Sequence, residues 1–210
     1  NAFRLLRTLS TLGSVTSTED KKYRVTMKVW QLGQTVIENL NLRAVAKPHL
    51  INLANQTGET VYLAVRDELS VVYIDKIEST KPIRSFTPKG GSAPIHCVGT
   101  GKALLAADYD ILRESVRSRL TKFTPVTITS MRKLDADMQA TLARGYAVDN
   151  GEYRDRIHSF GSAIFLPNGK AVAALGVSAP DVNLEEGRAE EVCQFVKQAA
   201  EAVSAELANM

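Results

Sequence analysis

Two short stretches hold the residue types most able to do chemistry. In "PIHCVGTGKALLA", residues 94–106, the glycine turn Gly99-Thr100-Gly101-Lys102 runs straight into an apolar helical segment. Such a turn offers free backbone N–H groups and the positive end of a helix dipole, which suits an anion such as a carboxylate. It is not a nucleotide-binding loop, because GxxxxGK followed by Ser or Thr needs Gly at 96, and the chain has His96 and Ala103. In "VDNGEYRD", residues 148–155, Asp149, Glu152 and Asp155 fall close together. Grouped carboxylates can do acid–base work, yet Asp-Asn-Gly is equally a turn with solvated ends. His96 and Cys97 suggest a catalytic pair, but neighbours in an extended segment point to opposite faces and cannot share a proton directly. A buried structural role is expected for both. His49, His96 and His158 have no metal-ligand spacing, and neither a metal nor another cofactor is expected.

The elements that must position these residues alternate along the chain. "AFRLLRTLSTL" places Phe3, Leu5, Leu6, Leu9 and Leu12 at helical spacing with Arg4 and Arg7 beside them, and Gly13 stops the helix. Two short extended pieces follow around the polar tip Ser17–Lys21. A basic helix leading into a polar-tipped hairpin has the shape of the second half of a winged helix-turn-helix, although an ordinary helix–hairpin fits as well. Val29, Leu32, Val36, Ile37 and Leu40 make one apolar stripe, and a second helical run extends to Gly58, with Lys47-Pro48 as a new start or a kink. The boundary between the two parts falls near 33–42.

Beyond it, "ETVYLAV" and "SVVYIDKI" read as a hairpin around Arg66–Leu69, and "PIRSFTP" as an extended piece closed by Gly90-Gly91. Helices are expected after the glycine turn, around Ile111–Leu120, and over 131–144 between a Ser130 cap and Gly145. "YAVDNGE" returns to strand. Asn168-Gly169 predicts a type I′ turn between two further strands, and Asn183 with Glu186 a capping box for a last amphipathic helix. The larger unit is therefore α+β, an antiparallel sheet flanked by helices.

At 210 residues, 44% apolar and 23% charged, the chain has material for a substantial core. No window approaches a membrane span, and no signal peptide is visible at "NAFRLLRTLS". The chain opens on Asn1 rather than Met, so a fragment lacking its true start is expected. Cys97 and Cys193 form no disulfide framework, which suits a reducing, cytoplasmic setting. The net charge of +3 is unevenly spread: residues 1–33 carry six basic side chains against Glu19 and Asp20, or +4, and the remaining 177 residues come to −1. A basic excess confined to one end points to a polyanion partner there, with a solvated surface as the alternative.

Taken in order, "RLLRTLSTLG", "KYRVTMKVWQLG", "TGETVYLAV", "PIHCVGTGKALLA", "GYAVDNGE" and "AVAALGVSAP" resemble the IclR family of bacterial transcriptional regulators over essentially the whole chain. The resemblance implies an α+β chain with three parts. Residues 1–28 would be the recognition helix and wing of a winged helix-turn-helix, without its earlier helices. Residues 29–42 would be a linker helix, and 43–210 a GAF-like effector-binding domain. It implies operator DNA as a partner, met by Arg4, Arg7, Lys22 and Arg24 as phosphate contacts, and a homodimer or homotetramer. It also implies that the turn at Gly99 and Thr100 offers amides to the carboxylate of a small organic acid. Asp149, Ser159 and Ser178 would complete a polar wall, and Ile157 would belong to the pocket.

Two departures stand out. Some relatives have Ser where this chain has Gly176, so one hydroxyl is missing. Where some members that sense very small acids carry bulky aliphatic residues, this chain has Ser85 and Ala93. That predicts a roomier pocket and an effector larger than a two- or three-carbon acid, such as an aromatic or hydroxy acid. The competing readings are an enzyme using Asp149 or Glu152 as base, and a sensor module without a DNA role.

Overall fold

The structure, a computed structural model, describes residues 2–18, 20, 22–29, 42–185 and 187–210. It divides into two units, Asn1–Arg43 and Ala44–Met210. In the first, helix α1 (Ala2–Thr11) is followed by Gly13 at φ +70°, a left-handed value that a side chain would strain. Strands β1 (Val15–Ser17) and β2 (Tyr23–Val25) pair antiparallel with Val15 opposite Val25. The returning strand is tied to the helix end: Thr26 Oγ1 donates to the Gly13 carbonyl at 2.6 Å, and Lys28 Nζ to that of Leu12 at 2.8 Å. The apolar stripe of α1 lacks cover among the described residues, with Phe3 71% exposed and Leu5 61%. Glu19 and Lys21 of the hairpin tip, and the stripe residues Leu32, Val36, Ile37 and Leu40, lie outside the described residues.

Helix α2 (Leu42–Thr57) runs through Lys47-Pro48 without a new start, and Gly58 ends it at φ +70°. The larger unit is built on a six-stranded antiparallel sheet ordered β5-β4-β3-β8-β7-β6. Its strands are β3 (Thr60–Asp67), β4 (Ser70–Ile77), β5 (Ser92–Pro94), β6 (Ala147–Asn150), β7 (Ile157–Phe165) and β8 (Ala171–Pro180). The period-2 alternation puts Tyr62, Ala64, Val71 and Tyr73 in one core, with residues from helices α3 (Gly99–Ala107), α4 (Tyr109–Arg117) and α5 (Met131–Arg144). Val61, Leu63 and Leu175, at alternate positions, are fully buried outside that cluster. Helix α6 (Arg188–Ala208) packs on β7 and β8 with Val192, Val196 and Val203 buried. Alongside it lies α2, joined by His49 to Glu206 at 3.0 Å and by Arg188 to the Gln56 carbonyl at 2.8 Å.

Several expectations are corrected in detail. Helix α4 begins and ends earlier than Ile111–Leu120. Ser130 precedes α5 but its side chain makes no cap bond. The Asn168-Gly169 hairpin is not type I′, because only Gly169 (φ +80°) has positive φ. Pro167 sets a right-handed turn closed from Gly169 N–H to the Leu166 carbonyl at 2.9 Å, and the glycine supplies the left-handed step. Helix α6 starts at Arg188 behind Gly187, so Asn183 caps nothing there; its amide donates instead to the Ile83 carbonyl at 3.0 Å. Glu186, the other half of that expected box, lies outside the described residues. Among the described residues no helix is long and apolar enough to cross a membrane.

Candidate functional site

Helix α3 starts against bare backbone. A Cβ on Gly161 would stand 2.4 Å from the carbonyl of Gly99, and one on Gly99 would stand 2.7 Å from the backbone of Phe160. No side chain fits at either place, so glycine on both sides lets the first turn of the helix lie directly on β7. Gly176 belongs to the same seat: a Cβ there would meet Thr100 Cγ2 at 2.4 Å. The missing hydroxyl at 176 thus has a packing reason, since a serine would collide with Thr100.

At this seat the polar groups form one relay. Gly99 N–H donates to Ser159 Oγ at 2.9 Å, and the Ser159 hydroxyl in turn donates to Asp149 Oδ2 at 2.6 Å. The other carboxylate oxygen of Asp149 accepts from Glu152 N–H at 2.6 Å. Strand pairing fixes the geometry, for Asp149 lies opposite Ser159 and Ser159 opposite Ser178. Asp149 is 2% exposed. Burial pushes its pKa up to about 7, against the two hydrogen bonds that favour the charged form. Because α3 begins here, the Thr100 and Gly101 amides also lack acceptors within the helix.

Behind the relay sits Lys102, 1% exposed. Its Nζ donates to the Val148 carbonyl and to Glu152 Oε1, both at 2.6 Å, and lies 2.8 Å from Asp137 Oδ2 on α5. The Asp137 contact is an ion pair without aligned hydrogen-bond geometry, and Glu152 Oε2 is buried with no hydrogen-bond partner. Burial raises the Glu152 pKa; the Lys102 charge opposes this and the Asp137 charge adds to it. By gripping both flanks of Asp149, Lys102 fixes the end of β6 to the helix.

In front of the relay opens a small cleft with a cavity volume of about 30 Å³, the larger empty space around it being open to solvent. Its floor carries Thr100, Asp149, Ser159 and Ser178, the last with no side-chain hydrogen bond among the described residues. Tyr62 and Tyr73 form one side, their rings 4.7 Å apart. Burial raises the pKa of both phenols, so both stay neutral. Tyr153, Ile157 and Phe160 continue the apolar surface. An irregular strap, residues 78–91, closes the outer side with Ser85 and Thr87. Its backbone is pinned: Thr60 Oγ1 donates to the Ser85 carbonyl at 3.1 Å, and Thr87 N–H donates to the Tyr62 hydroxyl at 3.0 Å. At the mouth Arg154 Nη1 donates to the Phe86 carbonyl at 3.0 Å.

Of the residues singled out in the sequence, Ser85, Thr100, Asp149, Ile157, Ser159 and Ser178 meet at this cleft, and Gly99 adjoins it through its bond to Ser159. Ala93 does not. It lies on β5, 4% exposed, pairs with Val71 of β4 and is enclosed in the core, so its small side chain adds no room to the cleft. The Tyr62–Tyr73 wall, Arg154 and Lys102 are the participants that sequence reasoning missed. Strand alternation could have put the two tyrosines on one face, but nothing in the sequence says which face the cleft uses. His96 and Cys97 are both buried away from it. His96 Nε2 contacts the Thr121 carbonyl at 3.1 Å, and burial pushes the Cys97 thiol up, far from a reactive thiolate. Glu152 is committed to Lys102 and does not line the cleft. Among the described residues no three His, Cys, Asp or Glu side chains are grouped to hold a metal. In the first unit Arg4, Arg7, Lys22 and Arg24 are all exposed, with Lys22 paired to Asp20 at 2.7 Å.

Residues 34–205 match the family described as bacterial transcriptional regulator IclR C-terminal. Over 208 residues the chain is 31% identical to the HTH-type transcriptional regulator KdgR of Escherichia coli K12, covering 98% of this chain and 79% of that one. It is also 31% identical to the HTH-type transcriptional repressor AllR of the same organism, over 98% and 77% of the two chains. The crystal structure of the Thermotoga maritima IclR superposes with a TM-score of 0.79 at 32% identity, over 99% of this chain and 85% of that chain. The curated relatives are named as regulators and repressors rather than enzymes. With its antiparallel sheet and flanking helices matching those of its relatives, the chain belongs to the IclR family of bacterial transcriptional regulators.

Proposed function

We propose that this regulator binds a small organic acid in the cleft and that binding changes its affinity for operator DNA. In this reading residues 1–28 are the recognition helix and wing, 29–42 the linker helix and 43–210 the GAF-like effector domain. The protein works in the cytoplasm as a homodimer or homotetramer. Arg4, Arg7, Lys22 and Arg24 contact phosphates, giving affinity and salt dependence rather than sequence choice. The effector shifts the regulator between two conformations by binding one better than the other.

The observation that carries the reading is the buried relay from Gly99 through Ser159 to Asp149, set in a cleft at a helix N-terminus. Two carboxylates would repel each other there if both were charged. With its pKa near 7, Asp149 takes a proton readily and can then lie beside an anionic effector. The short Ser85 side chain and the tyrosine wall favour an acid of aromatic or hydroxy-acid size over glyoxylate. The strap of residues 78–91 moves outward to admit it, since the cleft as it stands holds only about 30 Å³. Thermal-shift titrations with glyoxylate, pyruvate and benzoate test this, with Asp149→Ala and Ser178→Ala alongside. Benzoate is expected to raise the melting temperature, and both variants to lose the effect. A preference for glyoxylate would sink the size argument, and no shift with any acid would sink the effector reading.

A further inference from the structure

Arg154 is the one cationic side chain among the residues lining the cleft. It has no carboxylate at ion-pair distance among the described residues. Elsewhere on the surface Arg113 holds Asp135 at 2.8 Å, Arg156 holds Asp181 at 2.9 Å, and Arg188 holds Glu191. Asp155, its neighbour in sequence, makes no ion pair with it. Of the five N–H donors of its guanidinium, one is committed, to the Phe86 carbonyl at 3.0 Å. The guanidinium carbon stands 5.5 Å from the Tyr153 ring, which forms part of the cleft wall. Its charge is also felt by the Tyr62 phenol across the cleft. An arginine steered by a carbonyl and an aromatic ring, with its fork otherwise unspent, is arranged for bidentate capture of an oxyanion.

The floor of the cleft already has an acid-binding arrangement in the Thr100 amide and the Asp149–Ser159 pair. We infer that Arg154 makes this cleft selective for an effector with two acidic groups, a dicarboxylic acid spanning from the glycine turn to the mouth. The inference rests on the acid-sensing reading and adds the class of acid. One carboxylate lies at the helix start. The second engages Arg154, whose hold on Phe86 fastens the strap over the occupied cleft. Tyr62, Tyr73 and Phe160 flank the carbon skeleton between them.

Isothermal titration of the chain tests this with matched pairs: butyrate against succinate, hexanoate against adipate, and benzoate against terephthalate. At least one diacid is expected to bind about tenfold or more tightly than its monoacid partner, the scale of one charge-assisted hydrogen-bonded pair. Arg154→Gln is expected to bring that ratio below about threefold by weakening the diacid more than the monoacid, and Arg154→Lys to restore part of it. Arg154 is exposed, so neither variant should threaten folding. Equal binding of each pair to the unaltered chain, or a diacid preference that survives Arg154→Gln, would overturn the inference and leave acid sensing intact. Binding of no acid would remove both.

Discussion

Around Asp149 the inner wall of the cleft and the layer behind it are made of side chains committed to one another, the Ser178 hydroxyl being an exception, whereas the outer wall keeps some of its bonding capacity open. On the inner side Asp149 accepts a hydrogen bond on each oxygen, Ser159 both donates and accepts, and Lys102 is enclosed by two carboxylates and a carbonyl. The outer strap is pinned through its backbone, and Ser85, Thr87 and Arg154 line the opening. The difference separates two tasks. Buried, satisfied groups hold a geometry that folding has already fixed, while exposed ones can change partner when a ligand arrives. Alterations to the inner wall should therefore cost stability, and alterations to the outer wall should change selection.

The severest way to break this contrast is Lys102→Met, which leaves Glu152 without its cation and Asp137 with only Arg144, 3.9 Å away. A loss of about 3–5 kcal/mol in urea unfolding is expected, as for other buried pairs stripped of one partner. A loss below 1 kcal/mol would mean that the carboxylates simply take up protons. Ser159→Ala removes the acceptor of Gly99 N–H and a donor to Asp149, and should cost about 1–3 kcal/mol in the same measurement.

Acidity gives a gentler probe. The folded pKa of Asp149 lies above the 3.8 of an ordinary Asp, so the folded state holds a proton that the unfolded chain releases. Its contribution is complete below about pH 4 and is lost as pH rises toward about 7, at no more than about 1.4 kcal/mol per pH unit. Unfolding curves from pH 5 to 7.5 should fall more steeply for the unaltered chain than for Asp149→Asn; parallel curves would contradict this. The smallest expected effect sharpens the comparison from the other side. Arg154→Gln without ligand should change stability by less than about 0.5 kcal/mol, because it removes only an exposed hydrogen bond and an exposed contact with the Tyr153 ring.

How much of this could be read in the sequence depends on whether local or distant contacts decide. The glycine turn and the helix ending at Gly145 were legible because their signals are local: a helix start, and a residue able to take φ of +83°. Asn168-Gly169 misled because Pro167 beside it had already set the turn. Ala93 misled because alternation fixes which residues share a face but not how far along a strand a cleft extends. Lys102 looked like a remnant of a failed nucleotide motif, and its true partners lie 35 and 50 residues away on α5 and the β6–β7 turn. At Gly176 a missing hydroxyl looked like lost chemistry, while the structure makes it room for Thr100.

The contact between Gly99 and Ser159 has a practical consequence. Glycine amides occupy a thinly populated part of the nitrogen dimension in NMR spectra, and this one donates to a hydroxyl that in turn donates to the buried carboxyl. Its resonance should therefore move as Asp149 gains or loses its proton, and move again when an acid displaces the relay. A single backbone signal would report both the ionisation of the floor and the filling of the cleft, without any label attached to the ligand.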